Sequence, residues 1–292
     1  MSYVGTKLEK EISVEEVYTV HYFEYSSTYR YPGEAHDFWE CVYVDRGEVV
    51  ITAGEEELCL SRGEILFHAP NEWHTLRANG TVAPNLVVLS FSTHSPTMER
   101  FRAFRTSLDN RAKALISSII RESEAVFSTP LGDPSTKRME KRDPSPFGGE
   151  QMMLLQLEEL LIHLLRMQNG GQKPPLRRHA EGSIVEQMIA YMRSNLKKHL
   201  TLSDLARFAG VSESTIKSSF RTQTGKGALT YFTDLKMDAA KTYIREGRYN
   251  VTEIADLLGY DSIHYFSRRF RLRYGLSPTE YAQSIKSIEE KK

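Results

Sequence analysis

A repeat occupies the last third of this chain of 292 residues and limits the folds open to it. Thr201–Tyr231 and Asn250–Tyr281 match one another: Ala206 aligns with Ala255 and Gly210 with Gly259. After a one-residue insertion, Ser212 aligns with Ser262, Phe220 with Phe270, Arg221 with Arg271, Gly225 with Gly275 and Tyr231 with Tyr281. Two copies are too few for a solenoid, whose stability comes from stacking several units. Each copy therefore reads as a small helical unit. Thr201 with Asp204, and Asn250 with Glu253, place a capping side chain three residues before an acid, which predicts a helix start. Leu202, Leu205 and Ala206, then Val251, Ile254 and Ala255, give each short helix one apolar face. Gly210 and Gly259 supply the left-handed residue that ends it. Ser212 and Ser262 can cap a second helix that turns Ile216 and Phe220, or Phe266 and Phe270, inward.

Helix, glycine turn, helix is the helix-turn-helix pattern, whose second helix can enter a DNA major groove. The outward positions fit that use. In the second copy they carry His264, Arg268, Arg269, Arg271 and Arg273, and arginine suits both phosphate contact and bidentate pairing to guanine. In the first copy they are Ser214, Lys217, Ser218 and Arg221. The overall charge hides this, because 38 Lys and Arg balance 38 Asp and Glu. Residues 1–182 hold 20 basic and 26 acidic side chains, a net of −6, whereas 183–292 hold 18 and 12, a net of +6. An acidic first part joined to a basic second part predicts that only the second faces a polyanion.

Residues 259–281, GYDSIHYFSRRFRLRYGLSPTEY, resemble the signature of the AraC family of bacterial transcription regulators. The likeness lies in the Gly-Tyr turn, the Tyr-Phe-Ser-Arg stretch, the Phe four residues after Phe266, and the closing Gly-x-Ser-Pro-x-Glu-Tyr. It covers 183–285. It implies a seven-helix domain in which two helix-turn-helix units, joined by a long helix, read successive major grooves of double-stranded DNA. Carried over by position, base-facing residues would be Ser214, Lys217 and Ser218 in the first unit and Ile263, His264 and Arg268 in the second. Arg221, Arg269, Arg271 and Arg273 would meet phosphates. The first unit departs from the pattern in having few groups able to read bases, so sequence readout leans on the second. A joining helix from Ala228 to about Glu246 would be roughly 28 Å long. One DNA turn is about 34 Å, so full docking of both units implies bent DNA.

The first part of the chain has a different texture. From about Val14 to Phe91 it reads as short strands (FWECVYVD, EVVITAG, EEELCL, EILFHAP) broken at Arg46-Gly47, Ala53-Gly54 and Arg62-Gly63. Such strands predict a sandwich or small barrel. Cys41 and Cys59 sit in these runs and read as reduced core thiols. Met98–Arg105 and Asn110–Ala125 carry helical patterns. Residues 127–149, rich in Pro, Gly, Ser and charge, read as a mobile loop. Gln151–Met167 returns to a broad apolar helix face along Leu154, Leu157, Leu161 and Leu164, suited to packing on the barrel and to pairing with a second subunit. The fold class is α+β: a barrel over 1–105, a helical packing and dimerisation segment over 106–168, a linker over 169–182, and an all-α DNA-binding domain over 183–290. Its two units span about 201–223 and 250–273.

His36-Asp37-Phe38-Trp39-Glu40 followed by Gly47, and Gly63 through Pro70 to His74, resemble the two cupin motifs. That likeness, over about 15–95, implies a double-stranded β-barrel with a small-molecule pocket. Candidate lining residues are Glu34, His36, Phe38, Trp39, Glu40, His68, Trp73 and His74. Metal-binding cupins place two His and a Glu in the first motif and a His in the second. Here His36, Glu40 and His74 keep three positions and Glu34 replaces the fourth. These residues read as polar lining, with no metal or other cofactor expected; His36, Glu40 and His74 are the candidates should a divalent ion bind.

The leading reading is a cytoplasmic, ligand-responsive transcription regulator and not an enzyme. It would bind double-stranded DNA and a small-molecule effector such as a sugar or related metabolite, and form a homodimer through its N-terminal half, with helix 151–167 a candidate seam. As an activator it would also contact RNA polymerase. No apolar run suggests a membrane partner, and the first residues lack the apolar core of a secretory signal. Two other readings stay open: a metal-dependent cupin enzyme fused to a DNA-binding domain, and a ligand-free architectural DNA binder.

Overall fold

A computed structural model describes residues 3–53, 56–168 and 184–290. The chain divides into two compact units, Met1–Lys173 and Pro174–Lys292. The linker expected over 169–182 lies outside the described residues. Among the described residues no helix is long and apolar enough to cross a membrane.

The first unit is built on two antiparallel sheets. Its strands are β1 (Glu16–Glu24), β2 (Arg30–Glu34), β3 (Trp39–Arg46), β4 (Glu48–Ala53), β5 (Glu56–Ser61), β6 (Glu64–His68), β7 (His74–Ala78), β8 (Asn85–Ser92) and β9 (Arg105–Ser107). One sheet runs β1-β8-β3-β6-β9 and the other β2-β7-β4-β5. Successive side chains of a strand point to opposite faces, and the five-stranded sheet is covered on both. Val42, Val44, Leu66 and Leu86 face the smaller sheet and meet Val49, Ile51 and Leu60. Trp39, Cys41, Tyr43, Phe67, Leu89 and Phe91 face outward into a second core formed with two helices, α1 (Asn110–Val126) and α2 (Gly149–Gln168). Burial on both faces is why β3 and β8 read as nearly continuous apolar runs, with only partial alternation.

Asp109 caps α1 by accepting from the Ala112 amide at 2.8 Å. Both α1 and α2 match the helices expected there, and α2 buries Leu157, Leu160, Leu161, Leu164 and Leu165. Three expectations are corrected. Met98–Arg105 is not one helix: a short 3-10 helix spans Pro96–Phe101, the backbone turns extended at Arg102, and Arg105 begins β9, in keeping with the short runs usual for 3-10 geometry. Cys41 is a buried thiol, but Cys59 lies on the exposed face of β5. The segment after α1, composed like a mobile loop, is anchored: Phe127 is buried, a bridge pairs Phe127 with Lys141, and the Leu131 carbonyl accepts from the Tyr22 amide at 3.0 Å.

The second unit is helical among its described residues: α3 (Ile184–Arg193), α4 (Leu202–Ala209), α5 (Glu213–Thr224), α6 (Ala228–Glu246), α7 (Val251–Leu257), α8 (Ile263–Tyr274) and α9 (Pro278–Glu290). Helix α6 serves two cores. Its first turns, Ala228 and Phe232, pack with Leu205, Ile216 and Phe220. Farther along, Met237, Ala240 and Ile244 pack with Ile254, Ala255, Phe266 and Phe270.

Candidate functional site

A cavity of about 210 Å³ lies between the two sheets. Strand parity sets what enters it. Glu40 on β3 pairs across with His68 on β6 and Ser90 on β8, so the five-stranded sheet contributes those three. The smaller sheet contributes His74 at the start of β7, which pairs with Glu34 at the end of β2. Gly33 permits that approach: its φ is +109°, and a β-carbon there would lie 2.9 Å from the His74 carbonyl oxygen. His36 and Phe38 belong to the crossing from β2 to β3, their rings stacked at 3.9 Å.

Of the eight residues expected to line a pocket, Glu34, His36, Phe38, Glu40, His68 and His74 come together around this cavity. Trp39 and Trp73 do not. Trp39 is one step out of phase with Glu40 and packs into the outer core; Trp73 is one step out of phase with His74 and is 51% exposed. The residue-by-residue reading missed a second set of lining groups: an aromatic ladder of His21, Phe23, Tyr25 and Tyr29, with ring centroids 4.5, 4.9 and 3.6 Å apart in sequence. Period two along β1, which sets His21 and Phe23 on one face, is the signal that could have found the first two. Pro134 and Thr136 of the anchored segment close part of the wall.

Glu40 is the electrostatic centre. Its side chain accepts from Ser90 Oγ at 3.1 Å, which in turn accepts from Thr19 Oγ1 at 3.0 Å. Its carboxylate lies 3.6 Å from His36 Nε2 and 3.5 Å from His74 Nε2. Burial acts to raise its pKa, but the two imidazoles outweigh that and hold the carboxyl well below the usual range. For His74 burial acts downward and the Glu40 carboxylate outweighs it, so the imidazole is raised. Burial dominates at His21, whose pKa is lowered although the Leu131 carbonyl at 3.0 Å opposes it. An apolar and aromatic cavity with a few convergent polar groups is the usual form of a small-molecule site.

The second unit offers a surface of another kind. Thr201 and Asp204 close a reciprocal capping box on α4, with bonds of 3.2 and 2.9 Å. Asn250 and Glu253 do the same on α7, at 3.0 and 2.8 Å. Ser212 accepts from the Thr215 amide at 3.2 Å and Ser262 from the Tyr265 amide at 3.3 Å, starting α5 and α8. Gly210 and Gly259 take φ of +67° and +68° between the paired helices. The inner residues Ile216, Phe220, Phe266 and Phe270 are fully buried. On the other side of α5, Ser214, Lys217, Ser218 and Arg221 are exposed. On α8, His264, Arg268, Arg271 and Arg273 are exposed, while Ile263 and Arg269 are half-buried. Arg271 and Arg273 each lie 3.6 Å from a carboxylate, of Glu280 and Asp238 respectively. Arg268 instead sits over the Tyr265 ring, 5.7 Å from its centroid.

Comparison with known proteins assigns both units. Residues 16–131 match the AraC-like ligand binding domain and residues 205–284 a helix-turn-helix domain. The MmsAB operon regulatory protein of Pseudomonas aeruginosa is 34% identical over 40% of this chain and 39% of its own length. That chain is thus matched over about two fifths of its length. The HTH-type transcriptional activator RhaR of Escherichia coli K12 is 21% identical over 86% of this chain and 89% of its own length. Among solved structures, the C-terminal domain of AraT, a response regulator from Geobacillus stearothermophilus, is 28% identical with a TM-score of 0.34, covering 35% of this chain and 85% of that one. With these two domains in this order, the chain belongs to the AraC family.

Proposed function

We propose that this chain is a sequence-specific DNA-binding transcription regulator whose barrel senses a small molecule. The observation that carries the reading is the pair of capped helix-turn-helix units built on one helix, with an arginine-bearing α8, in the same chain as a barrel whose aromatic cavity gathers a few polar groups. The relatives named above are regulators, which agrees with a function in transcription and not in catalysis. Base edges fall to Ser214, Lys217, Ser218, Ile263, His264 and Arg268, and phosphates to Arg221, Arg269, Arg271 and Arg273. The effector fits a small polar metabolite such as a sugar, which could stack on the aromatic ladder and hydrogen-bond to Glu34 and the tyrosines. Regulation follows if the effector binds two conformations of the chain unequally. The chain works in the cytoplasm, and as an activator it contacts RNA polymerase.

Dimerisation belongs to the same reading. On α2, Met152 and Leu155 are 45% and 50% exposed beside a face that is otherwise buried, which suits a seam with a second copy. Leu155→Glu is expected to shift the full chain from dimer to monomer in sedimentation velocity. The function itself is tested by mapping the DNA that the full chain binds across its genome, paired with a thermal-shift screen of sugars and small metabolites. Enrichment of one shared sequence, with anisotropy binding that falls steeply with salt, is the expected result. DNA affinity indifferent to sequence would sink it.

A further inference from the structure

A second cavity, of about 340 Å³, lies on the other face of the five-stranded sheet, between it and α1. Strand parity keeps it apart from the first. His21, Phe23 and Glu40 look between the sheets, whereas Tyr22 and Tyr43 look outward with Val87 beside them. Ile116 and Ile120 of α1 supply the facing apolar wall, and Lys113, one turn before Ile116, reaches its edge. The rim on the sheet side is Asp45, near the end of β3, and the Arg62-Gly63 turn between β5 and β6.

The polar groups of this cavity are only partly matched to one another. Tyr22 is satisfied: its hydroxyl donates to Asp45 Oδ2 at 2.8 Å and accepts from Asn85 Nδ2 at 2.9 Å. Tyr43 is only 7% exposed, yet among the described residues its hydroxyl has no hydrogen-bond partner. Burial and then the Asp45 carboxylate raise its pKa, so the phenol keeps its proton and is a donor. Elsewhere in this unit Arg77, Arg105 and Arg111 are ion-paired. Arg62 and Lys113 have no carboxylate within 4.0 Å among the described residues. The Lys113 ammonium lies over Gly63, where a β-carbon would stand 3.5 Å from Nζ, and so over the turn that carries Arg62. A buried donor without an acceptor costs free energy, and like charges at one rim repel. One anionic acceptor would relieve both.

We propose that this cavity is a second small-molecule site, for a monoanionic carboxylate with a compact apolar body. The carboxylate sits between Arg62 and Lys113 and accepts from the Tyr43 hydroxyl, and the apolar body lies on Val87, Ile116 and Ile120. The lining carries two cations and one carboxylate, a net of +1. That suits a single negative charge and disfavours a dianion such as phosphate beside Asp45. An apolar pocket with a few convergent polar groups at one end also excludes a wholly polar ion, which would leave the isoleucine wall unused.

The test is isothermal titration calorimetry of the full chain with phenylacetate and isovalerate, against the neutral isostere phenylacetamide and against inorganic phosphate. At least one of the two carboxylates should bind saturably, one per chain, about tenfold or more tighter than phenylacetamide and phosphate. Arg62→Gln and Lys113→Gln should each weaken that binding by about fivefold or more, while Arg77→Gln, a charge change outside the cavity, should leave it unaltered. Arg62 is exposed and Lys113 half-buried, so neither substitution opens the core, and far-UV circular dichroism checks that both variants fold. No saturable binding of either carboxylate would overturn the proposal. So would equal binding of the amide, or unchanged affinity in both cavity variants, which would put the carboxylate elsewhere. No DNA is present, so the outcome is independent of the regulator reading.

Discussion

Gly259 runs against the backbone of Lys197, so close that a β-carbon on it would overlap the Lys197 carbonyl oxygen and lie 2.8 Å from the carbonyl carbon. The residue also holds φ at +68°. Two costs therefore fall together on any side chain placed there. Left-handed backbone strain is about 1–2 kcal/mol and overpacking about 1–3 kcal/mol. Its repeat partner Gly210 has nearly the same φ, with open space around it. Gly259→Ala should destabilise the helical domain by about 2–5 kcal/mol and Gly210→Ala by about 1–2 kcal/mol. Chemical denaturation of the full chain, followed at the transition of that domain, compares them; equal losses would refute the role given to Lys197.

Arg268 and Arg271 should differ in kind. Arg268→Ala is expected to cost about 1–3 kcal/mol in binding at one or two base positions and little on unrelated DNA. Arg271→Ala should weaken all sequences alike and flatten the salt dependence. Anisotropy titrations against a mutated operator series measure both, and a uniform loss from Arg268→Ala would remove it from the base-reading set.

DNA bound by both units should be bent. Helix α6 spans 19 residues, about 28 Å, against about 34 Å for one turn of the duplex. Circular permutation of the operator should give position-dependent mobility. Straight DNA with both half-sites protected would contradict this.

The Glu64–Arg105 pair joins β6 to β9, with contacts of 3.1, 2.9 and 2.8 Å. The Arg105 guanidinium holds the Glu64 carboxyl below its ordinary range, against a smaller opposing effect of burial. A carboxyl depressed in the folded state stabilises the fold above its unfolded pKa of about 4.5, and that stability is lost as pH falls through the lower folded value. Arg105→Ala should therefore cost about 0.5–1 kcal/mol near neutral pH and almost nothing once Glu64 is protonated. Urea melts of both proteins on the two sides of that range provide the comparison.

Thiol titration should find one reactive group in the native chain and two in denaturant. Cys59 is exposed and Cys41 buried. Burial, then the Glu48 carboxylate, push the Cys59 thiol up, so its reaction should quicken at alkaline pH. Cys59→Ser should abolish the native reaction.

The helical domain was legible because its signals are local. A Thr, Asn or Ser three residues before its partner, and a glycine after the last apolar residue, specify where α4, α5, α7 and α8 start and stop without reference to distant contacts. The barrel needed parity. Reading Trp39 with Glu40, and Trp73 with His74, as one pocket ignored that neighbours on a strand face opposite ways. The same oversight placed Cys59 in the core. Residues 127–148 were opaque for another reason: what anchors them, Tyr22 and the bridge between Phe127 and Lys141, is far away in sequence or has no local signature. The charge group around Glu40 lay between these cases, since its members were visible as spacing but the direction of each imidazole depended on the carbonyls of Phe38 and Glu72.

Strand β3 has no idle residue. Glu40 and Val42 look into the space between the sheets while Trp39, Cys41 and Tyr43 look toward α1 and α2. Inserting or deleting one residue there would exchange the two populations, burying a tryptophan in the cavity and a carboxylate among leucines. This wall can diversify by replacing side chains in place but not by growing or shrinking. New ligands for barrels of this plan must come from exchanged residues, and from the freer connections at their rim.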